Sequence, residues 1–487
     1  MRNILTQLNL YTNIIIDKYR YEKQDNARAA ETIWGGKFMP FKKNFIWGTS
    51  TASYQIEGGW DEDGKGLSIW DVFTHTPDKI LENHTGDIAC DHYHRFKEDV
   101  ALMKQLGIDA YRFSISWTRI FPNGIGKVNE AGVKFYSDLI DELLKNDIEP
   151  YITLFHWDYP YELHRKGGWL NDESVKWFAD YAGFIAEKYS DRVKYFMTFN
   201  EPQGILGSGY TDGYLAPGLK CGYKDLFQMC HNVLKAHGAA VLAMRKAAKQ
   251  DIKIGYAPTG KIAYPATDSS ADIEAARKQT FTCNPINNAM RSLSWWLDPV
   301  FLGKYPEDGL EKYKDYLPVI TKEDMELISQ PLDFHGQNIY DGYMVKANDD
   351  GEPIIVDQKV GHTKNAAQWP VTPETLYWGP KFLYERYKTP FYITENGMSA
   401  HDSVSLDGEV HDPNRIDFIH RNLINLEKAA EDGVDVCGYF HWSFMDNMEW
   451  HKGYTERFGL VYVDYETQKR IVKDSGKWYK NWIEEHK

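Results

Sequence analysis

The chain has 487 residues, enough for two or three domains or for one large α/β barrel, since barrels with extended loops exceed ~400 residues. Hydrophobic residues make up 43% and charged residues 26%, a balance that supplies a substantial core and excludes global disorder. With 56 Lys and Arg against 70 Asp and Glu the net charge is −14; an acidic surface repels phosphate backbones and argues against a nucleic-acid partner.

At the N-terminus Met1-Arg2 precede Ile4-Leu5. Thr6, Gln7, Asn9, Thr12 and Asn13 interrupt the apolar run before a signal-peptide core of about 7–15 residues is complete, and no small-residue cleavage site follows. No segment reaches the ~18–20 consecutive apolar residues of a membrane span. The expectation is a cytoplasmic protein that does not associate with membranes. Residues 1–38 are polar and weakly periodic and lead into Met39-Pro40-Phe41. They read as a peripheral extension, with 39–487 as the folded domain; a helix packed on the domain's outside is the alternative.

From Lys42 onward a short β-branched or aromatic run is followed by a loop and then by apolar residues at helical spacing. Strands are predicted at Phe45–Gly48, Ala110–Ser114, Pro150–Phe155, Tyr195–Asn200, Ile252–Ala257, Asp333–Tyr340, Phe391–Glu395 and Val436–His441. Several are near-continuous apolar runs, as expected of parallel strands covered on both faces. The clearest helix runs from Phe96 to Leu106, with Val100 and Met103 on the same face and Gly107 as its stop. A second carries Val133, Tyr136, Leu139, Ile140, Leu143 and Leu144. A third carries Val175, Phe178, Ala182, Ile185 and Tyr189, with Asn171 or Asp172 near its cap. Eight strands alternating with helices, and no linker between them, predict a single (β/α)8 TIM barrel with long βα loops. The long loops are expected at Tyr264–Asp298 and Asp341–Gln368.

The five cysteines, at 90, 221, 230, 283 and 437, are odd in number, scattered and free of CxxC spacing. They predict reduced, buried thiols rather than a disulfide framework or a zinc site. Sixteen Trp and 32 Tyr exceed what a core needs and leave rings for stacking on a ligand.

In such a barrel the chemistry sits at the C-terminal ends of the strands. The third strand ends in His156-Trp157, the fourth in Asn200-Glu201-Pro202, and the sixth in Asn338 and Tyr340. The seventh ends in Thr394-Glu395-Asn396-Gly397, and the eighth in Trp442, followed by Glu449-Trp450. Two carboxylates, Glu201 and Glu395, therefore converge from opposite sides of the mouth, in company with amides and aromatic rings. No cluster of three His or Asp suggests a metal. Paired carboxylates with indoles and amides suit glycoside cleavage: one acid protonates the leaving oxygen while the other attacks or activates water at the sugar's C1. Taken singly, a strand-end Glu is more often a helix cap or a surface ion-pair partner, His156 a satisfied core histidine and Trp442 a core indole. Their shared placement overturns those readings.

The strings Thr198-Phe199-Asn200-Glu201-Pro202 and Ile393-Thr394-Glu395-Asn396-Gly397 resemble the acid/base and nucleophile signatures of glycoside hydrolase family 1, the β-glucosidase family. Further matches are Phe45-Ile46-Trp47-Gly48 through Gln55-Ile56-Glu57-Gly58, Tyr111-Arg112-Phe113-Ser114-Ile115-Ser116-Trp117 and His156-Trp157-Asp158. Trp442-Ser443 through Asp446-Asn447-Met448-Glu449-Trp450 and Arg457-Phe458-Gly459-Leu460 complete the set. The resemblance covers roughly Phe41 to Trp482.

The resemblance implies a retaining mechanism with Glu395 as nucleophile and Glu201 as acid and later base, their carboxyl groups ~5–5.5 Å apart. It implies that the charge on Glu395 keeps Glu201 protonated. Arg112 would keep Glu395 ionised, and Tyr340 would hydrogen-bond it. Gln55 and Glu449 would clamp the 3-, 4- and 6-hydroxyls, with His156 and Trp450 at the 3-hydroxyl, Trp157 beside them and Asn200 at the 2-hydroxyl. Trp442 would form the stacking floor and Phe458 the lining near the 6-position, with Asn338 close by. Trp369 resembles the tryptophan on which the leaving-group sugar stacks; Trp169 and Leu170 are expected at the entrance.

Glu449 stands where members acting on 6-phosphorylated glucosides carry a serine, and a carboxylate there repels a phosphate dianion. Lys452 and Tyr454 read as loop residues. Glu201 departs from the thioglucosidase branch, which has glutamine there. His441 and Ile339 depart from the family's pattern; His441 is either ordinary packing or a pH-dependent neighbour of Trp442. The expected activity is hydrolysis of terminal β-D-glucosyl residues from cellobiose, short cello-oligosaccharides and aryl glucosides, with galactosidase or fucosidase activity beside it. A sugar-binding barrel without activity is the competing class. The expected partner is the small-molecule sugar; no cofactor or metal is implied, since two carboxylates suffice. The oligomeric state is left open.

Overall fold

A computed structural model describes residues 41–487; the expectation for residues 1–38 lies outside them. The eight expected strands are all present: β1 (Ile46–Ser50), β2 (Ala110–Ser114), β3 (Glu149–Phe155), β4 (Tyr195–Asn200), β5 (Lys253–Ala257), β6 (Phe334–Asn338), β7 (Phe391–Asn396) and β8 (Val436–Trp442). Each pairs in parallel with its neighbours in chain order, and β8 pairs with β1, from Ile46 opposite Gly438 to Ser50 opposite Trp442, so the sheet closes. β2 and β4 keep the expected boundaries, and the other strands shift by at most two residues at either end. The shifts of two residues are at the ends of β1 and β6; β6 ends at Asn338, and the Ile339 N–H just past it still donates to Glu395 O of β7 (3.0 Å).

The barrel interior below the mouth is filled by side chains from alternate positions. Tyr151, Phe334, Tyr392 and Phe440 pack with Ala110, Met197 and Ala257 into one buried layer. The size of these rings dictates small partners: a Cβ on Gly48 would lie 2.4 Å from the Phe440 ring. The strands therefore read as apolar runs because one face meets this layer while the other meets the outer helices.

The outer helices include α1 (His92–Gln105), α2 (Glu130–Lys145), α3 (Ser174–Tyr189), α4 (Tyr223–Ala247), α5 (Ser270–Phe281), α6 (Leu293–Leu302), α7 (Thr375–Tyr387), α8 (Pro413–Glu431) and α9 (Asp474–Glu485). α1 starts four residues before the expected Phe96, and Gly107 follows its end at φ +70°. Phe96 itself is only half-buried. In α2, Tyr136, Leu139, Ile140 and Leu143 are buried as the spacing predicts. Ahead of α3, Asn171 Oδ1 accepts the Glu173 N–H at 2.9 Å.

Two expectations need correction. Tyr264–Asp298 is not a bare loop: it holds α5 and the start of α6. Asp341–Gln368 contributes strands at Gly342–Ala347 and Pro353–Ile355, which pair with each other and with Ile262–Pro265 in a small separate sheet. The strands are too short to show an alternation, and α5 is too polar to show a helical one. The cysteines are all free, but Cys221 and Cys437 are only partly buried, unlike Cys90, Cys230 and Cys283. No helix of the described residues is long and apolar enough to cross a membrane.

Candidate active site

Three register shifts fall where the strands reach the mouth. β4 slips against β5 between Met197 and Asn200, and β7 slips against β6 between Ile393 and Glu395 and against β8 between Ile393 and Asn396. Such irregularities re-aim the side chains that follow. Glu201, just past β4, has φ +42°, and Trp157, just past β3, has φ +82°. Left-handed backbone at such residues costs ~1–3 kcal/mol and persists only where the surroundings impose it. Here Glu201 N–H donates to Ala257 O (2.9 Å), Glu201 O accepts from Gly204 N–H (2.8 Å), and the Trp157 indole N–H donates to Asn200 O (3.1 Å).

One hydrogen-bonded network holds both carboxyls. Arg112 Nη1 donates to Glu395 Oε1 (2.7 Å) and Thr394 O (3.1 Å), Nη2 to Asn200 Oδ1 (2.6 Å), and Nε to Thr153 Oγ1 (3.1 Å). Tyr340 donates its hydroxyl to Glu395 Oε2 at 2.7 Å. Asn338 Nδ2 donates to Glu201 Oε1 (2.8 Å) and Asn200 Oδ1 (3.0 Å), while its Oδ1 accepts from Thr394 Oγ1 (2.7 Å). With Asn200 Oδ1 filled by two donors, its Nδ2 faces His156 Nε2 at 2.9 Å. That ring nitrogen therefore accepts. Burial and the nearby Arg112 charge hold His156 well below its ordinary pKa, so the ring is neutral and carries its hydrogen on Nδ1, which has no partner among the described residues.

The two carboxyls differ electrostatically. Burial, then the Glu395 charge, pushes Glu201 up to about 8, against the opposing Asn338 hydrogen bond and Arg112 charge. Burial also raises Glu395, but Arg112 and the Tyr340 hydroxyl pull it back. The expected contribution of the Glu395 charge to raising Glu201 is there, and desolvation adds a larger one. Glu449 is likewise pushed up to about 8 by burial and by Glu456, Glu395 and Glu201.

A cavity of about 400 Å³ opens above this network. His156, Trp157, Asn200, Glu201, Tyr340, Trp369, Glu395, Trp442, Glu449, Trp450 and Phe458 all line it. His156 lies stacked between Trp442 (ring centroids 5.7 Å) and Trp450 (6.0 Å), and Phe458 packs with Ala52, Trp442, Tyr340 and Trp369. Arg112 and Asn338 stand behind the lining and act on it through Glu395 and Glu201. Gln55 is fully buried behind the segment leading to Glu449. Its Nε2 donates to Asn447 Oδ1 (3.0 Å) and Met448 O (2.9 Å), which leaves Oε1 without a partner among the described residues. The expected clamp by Gln55 therefore narrows to that one oxygen.

The expectation for the entrance falls away, while Lys452 and Tyr454 stay out of the cavity as read. Trp169 is fully buried against Phe155, Tyr159, Phe178 and Phe199, and neither it nor Leu170 lines the cavity. Tyr454 is spent on Thr85 O (2.7 Å), and it and Lys452 stay out of the cavity. Burial and the Arg415 charge hold His441 down at about 3; it is a neutral packing residue and makes no pH-dependent contribution beside Trp442. Among the described residues no group of three or more His, Cys, Asp or Glu is arranged to hold a metal ion.

Sequence reasoning missed the outer lining: Gln203, Thr259, Lys261, Gln279, Asn284, Asn288 and Arg291. Lys261 is paired with Asp341 (2.8 Å) and Arg291 with Asp212 (2.6 Å), so both cations are compensated. The only sequence trace of this rim is the amide-rich run from Asn284 to Asn288, inside a segment without a readable period.

A closed parallel barrel with two unlike carboxyls, amides and indoles at its C-terminal mouth is the architecture of a glycoside-cleaving barrel enzyme. Comparison with known proteins narrows the class. The sequence pattern of glycosyl hydrolase family 1 matches residues 38–487, and the chain belongs to that family. It is 45% identical to beta-glucosidase A of Thermotoga maritima over 445 residues, covering 91% of this chain and 97% of that protein. The 1,4-beta-D-glucan glucohydrolase of Thermotoga neapolitana is also 45% identical, with 91% and 98% covered. The solved beta-glucosidase from Thermotoga maritima in complex with glucoimidazole superposes with a TM-score of 0.84 at 44% identity, covering 92% of this chain and 99% of that one.

Proposed function

We propose that the chain is a retaining β-glucosidase acting on cellobiose, short cello-oligosaccharides and aryl β-glucosides. The observation that carries the reading is the unequal setting of the two carboxyls. Glu395 has a donor on each oxygen, one of them a guanidinium; Glu201 has an amide donor on Oε1 and is raised to about 8.

At neutral pH Glu201 is the acid and Glu395 the anion. Because Oε1 of Glu201 accepts from Asn338, its proton resides on Oε2. A Glu395 oxygen attacks the sugar's C1, the bond to the leaving oxygen breaks, and the Glu201 proton passes to that oxygen. Glu395 is then a neutral ester, and the repulsion that favoured protonated Glu201 is gone. Glu201, now a carboxylate, takes a proton from water as that water attacks C1, and Glu395 is released as the anion. Trp442 supplies the stacking floor, His156 Nδ1–H and the free Asn200 amide hydrogen supply donors, and Gln55 Oε1 and Glu449 supply acceptors. Trp369 receives the leaving sugar.

Glu449 favours unphosphorylated sugars, and the same clamp accommodates an axial 4-hydroxyl, so galactoside and fucoside cleavage belong to the proposal. The sequence reading of a cytoplasmic protein is part of it as well. The test is the initial rate on 4-nitrophenyl β-D-glucoside and on cellobiose, with the anomer of the first-formed glucose read by NMR. The expected result is β-glucose, and a rate lower by orders of magnitude in Glu395→Gln. α-Glucose as first product would refute retention, and no release from either substrate would favour a binding-only barrel.

A further inference from the structure

Outside the cavity lies a second concentration of charge, buried and balanced. Lys473, fully buried, donates from Nζ to Asp402 Oδ2 (2.5 Å) and Asp446 Oδ1 (2.6 Å). Arg415 donates from Nη2 to Asp402 Oδ2 (2.7 Å) and Arg457 O (2.8 Å), and pairs through Nη1 with Asp412. Arg457 donates from Nη1 to Asp446 Oδ2 (2.7 Å) and Val463 O (3.0 Å). Three cations meet three carboxylates. Desolvating such ions gains little net stability over apolar packing, so a buried cluster raises the question of what it positions.

The cluster joins segments that carry the cavity wall. Asp446 lies between Trp442 and Glu449 on the stretch that follows β8. Its Oδ1 also accepts from Gly459 N–H (3.0 Å), the residue after Phe458. The approach is so close that a Cβ on Gly459 would lie 2.1 Å from Asp446 N. Lys473, at the start of α9, anchors Asp446 from outside, and its own N–H donates to Leu460 O (2.9 Å). The acid and nucleophile are held by a different set, Arg112, Asn338 and Tyr340, and none of these three bonds to the cluster.

We propose that Lys473 is a positioning residue for sugar binding: through Asp446 it holds the wall of Trp442, Glu449, Trp450 and Phe458 in register without acting on Glu201 or Glu395. This rests on the reading of that wall as the sugar site. A displaced wall weakens binding of substrate and transition state alike, which raises KM and leaves kcat.

The test is the kinetics of the full-length Lys473→Met variant on 4-nitrophenyl β-D-glucoside, with the folded fraction followed by circular dichroism. The expected result is a KM higher by ~10- to 100-fold with kcat within ~3-fold of the parent, and a KM largely restored in Lys473→Arg. A merely structural role predicts the opposite split, a lower apparent kcat from fewer folded molecules at unchanged KM, and that result would overturn the proposal. If Lys473→Met does not fold, Asp446→Asn supplies the same readout, and an unchanged KM there overturns the proposal equally. A parent enzyme inactive on glucosides would remove the sugar-site reading and the inference with it; an active parent with an insensitive variant removes the inference alone.

Discussion

Asn338 Nδ2 reaches Glu201 Oε1 at 2.8 Å and Asn200 Oδ1 at 3.0 Å, so a single amide ties Glu201 to the network that ends on Glu395. The tie is directional. An amide N–H only donates, so Oε1 of Glu201 is kept as an acceptor and the proton is left to Oε2. Asn338 in turn is oriented by Thr394, the residue before Glu395. The two carboxyls are thereby positioned by side chains from β2, β4, β6 and β7, four strands spread along the chain.

The pH dependence follows from the acid's elevated pKa. With Glu201 as the proposed acid, pushed up to about 8, kcat/KM on an aryl glucoside is expected to fall as pH rises through about 8. Glu395 acts as the anion, and its raised pKa places the acid limb above the ordinary glutamate value of about 4.3. A profile measured from pH 4 to 10 is expected to be bell-shaped, and a flat alkaline side would contradict the assignment. In Glu395→Gln the Glu201 carboxyl is expected to titrate lower than in the parent yet above 4.3, because burial outlasts the lost charge.

Arg112→Lys keeps the charge and loses the fork. Lysine's single nitrogen cannot serve Glu395, Asn200 and Thr153 together, so kcat/KM is expected to fall by ~10²-fold, about 2.7 kcal/mol of transition-state stabilisation. Arg112→Met in addition leaves Glu395 buried without its cation, with an expected stability loss of about 3–5 kcal/mol in denaturant unfolding. Equal activity of Arg112→Lys and parent would show that charge alone matters.

Glu449→Ser removes the carboxyl that faces the sugar. Cleavage of unphosphorylated glucoside is expected to fall by ~10²–10⁴-fold in kcat/KM, as when a site loses its partner for a substrate hydroxyl. Discrimination against the 6-phosphorylated glucoside is expected to shrink at the same time, most of all above about pH 8, where Glu449 is charged and repels the phosphate. Assaying both substrates on both proteins separates the two effects.

Removal of residues 1–38 is expected to leave activity and thermal midpoint unchanged if the extension is peripheral. A protein starting at Met39 that fails to fold, or that has lost activity, would show that the extension packs on the barrel.

The barrel was legible because its strands are short apolar runs of repeating kind, covered on both faces, and the helix period shows between them. Where an element is short, as in the Gly342–Ala347 strand, or polar, as in α5, no period shows and the stretches read as loops. Eleven of the fourteen expected site residues reach the cavity, because strand-end placement is itself a property of the chain order. Trp169 misled: it lies in the loop after β3, and nothing in the linear sequence tells whether its ring meets the cavity or the aromatic cluster around Phe178.

The residues Glu201, Glu395, Arg112 and Glu449, and the barrel that brings them together, were determined by the sequence alone, since residue type and strand order settle which groups gather at the mouth. Tertiary structure decided how those groups are used. The side of Gln55 left free, the nitrogen of His156 that carries the hydrogen, the dominance of desolvation over Glu395 in raising Glu201, and the buried link from Lys473 to the sugar wall all depend on contacts between residues far apart in sequence. Hydrogen-bond direction and burial are properties of three-dimensional neighbours, and a linear reading contains neither.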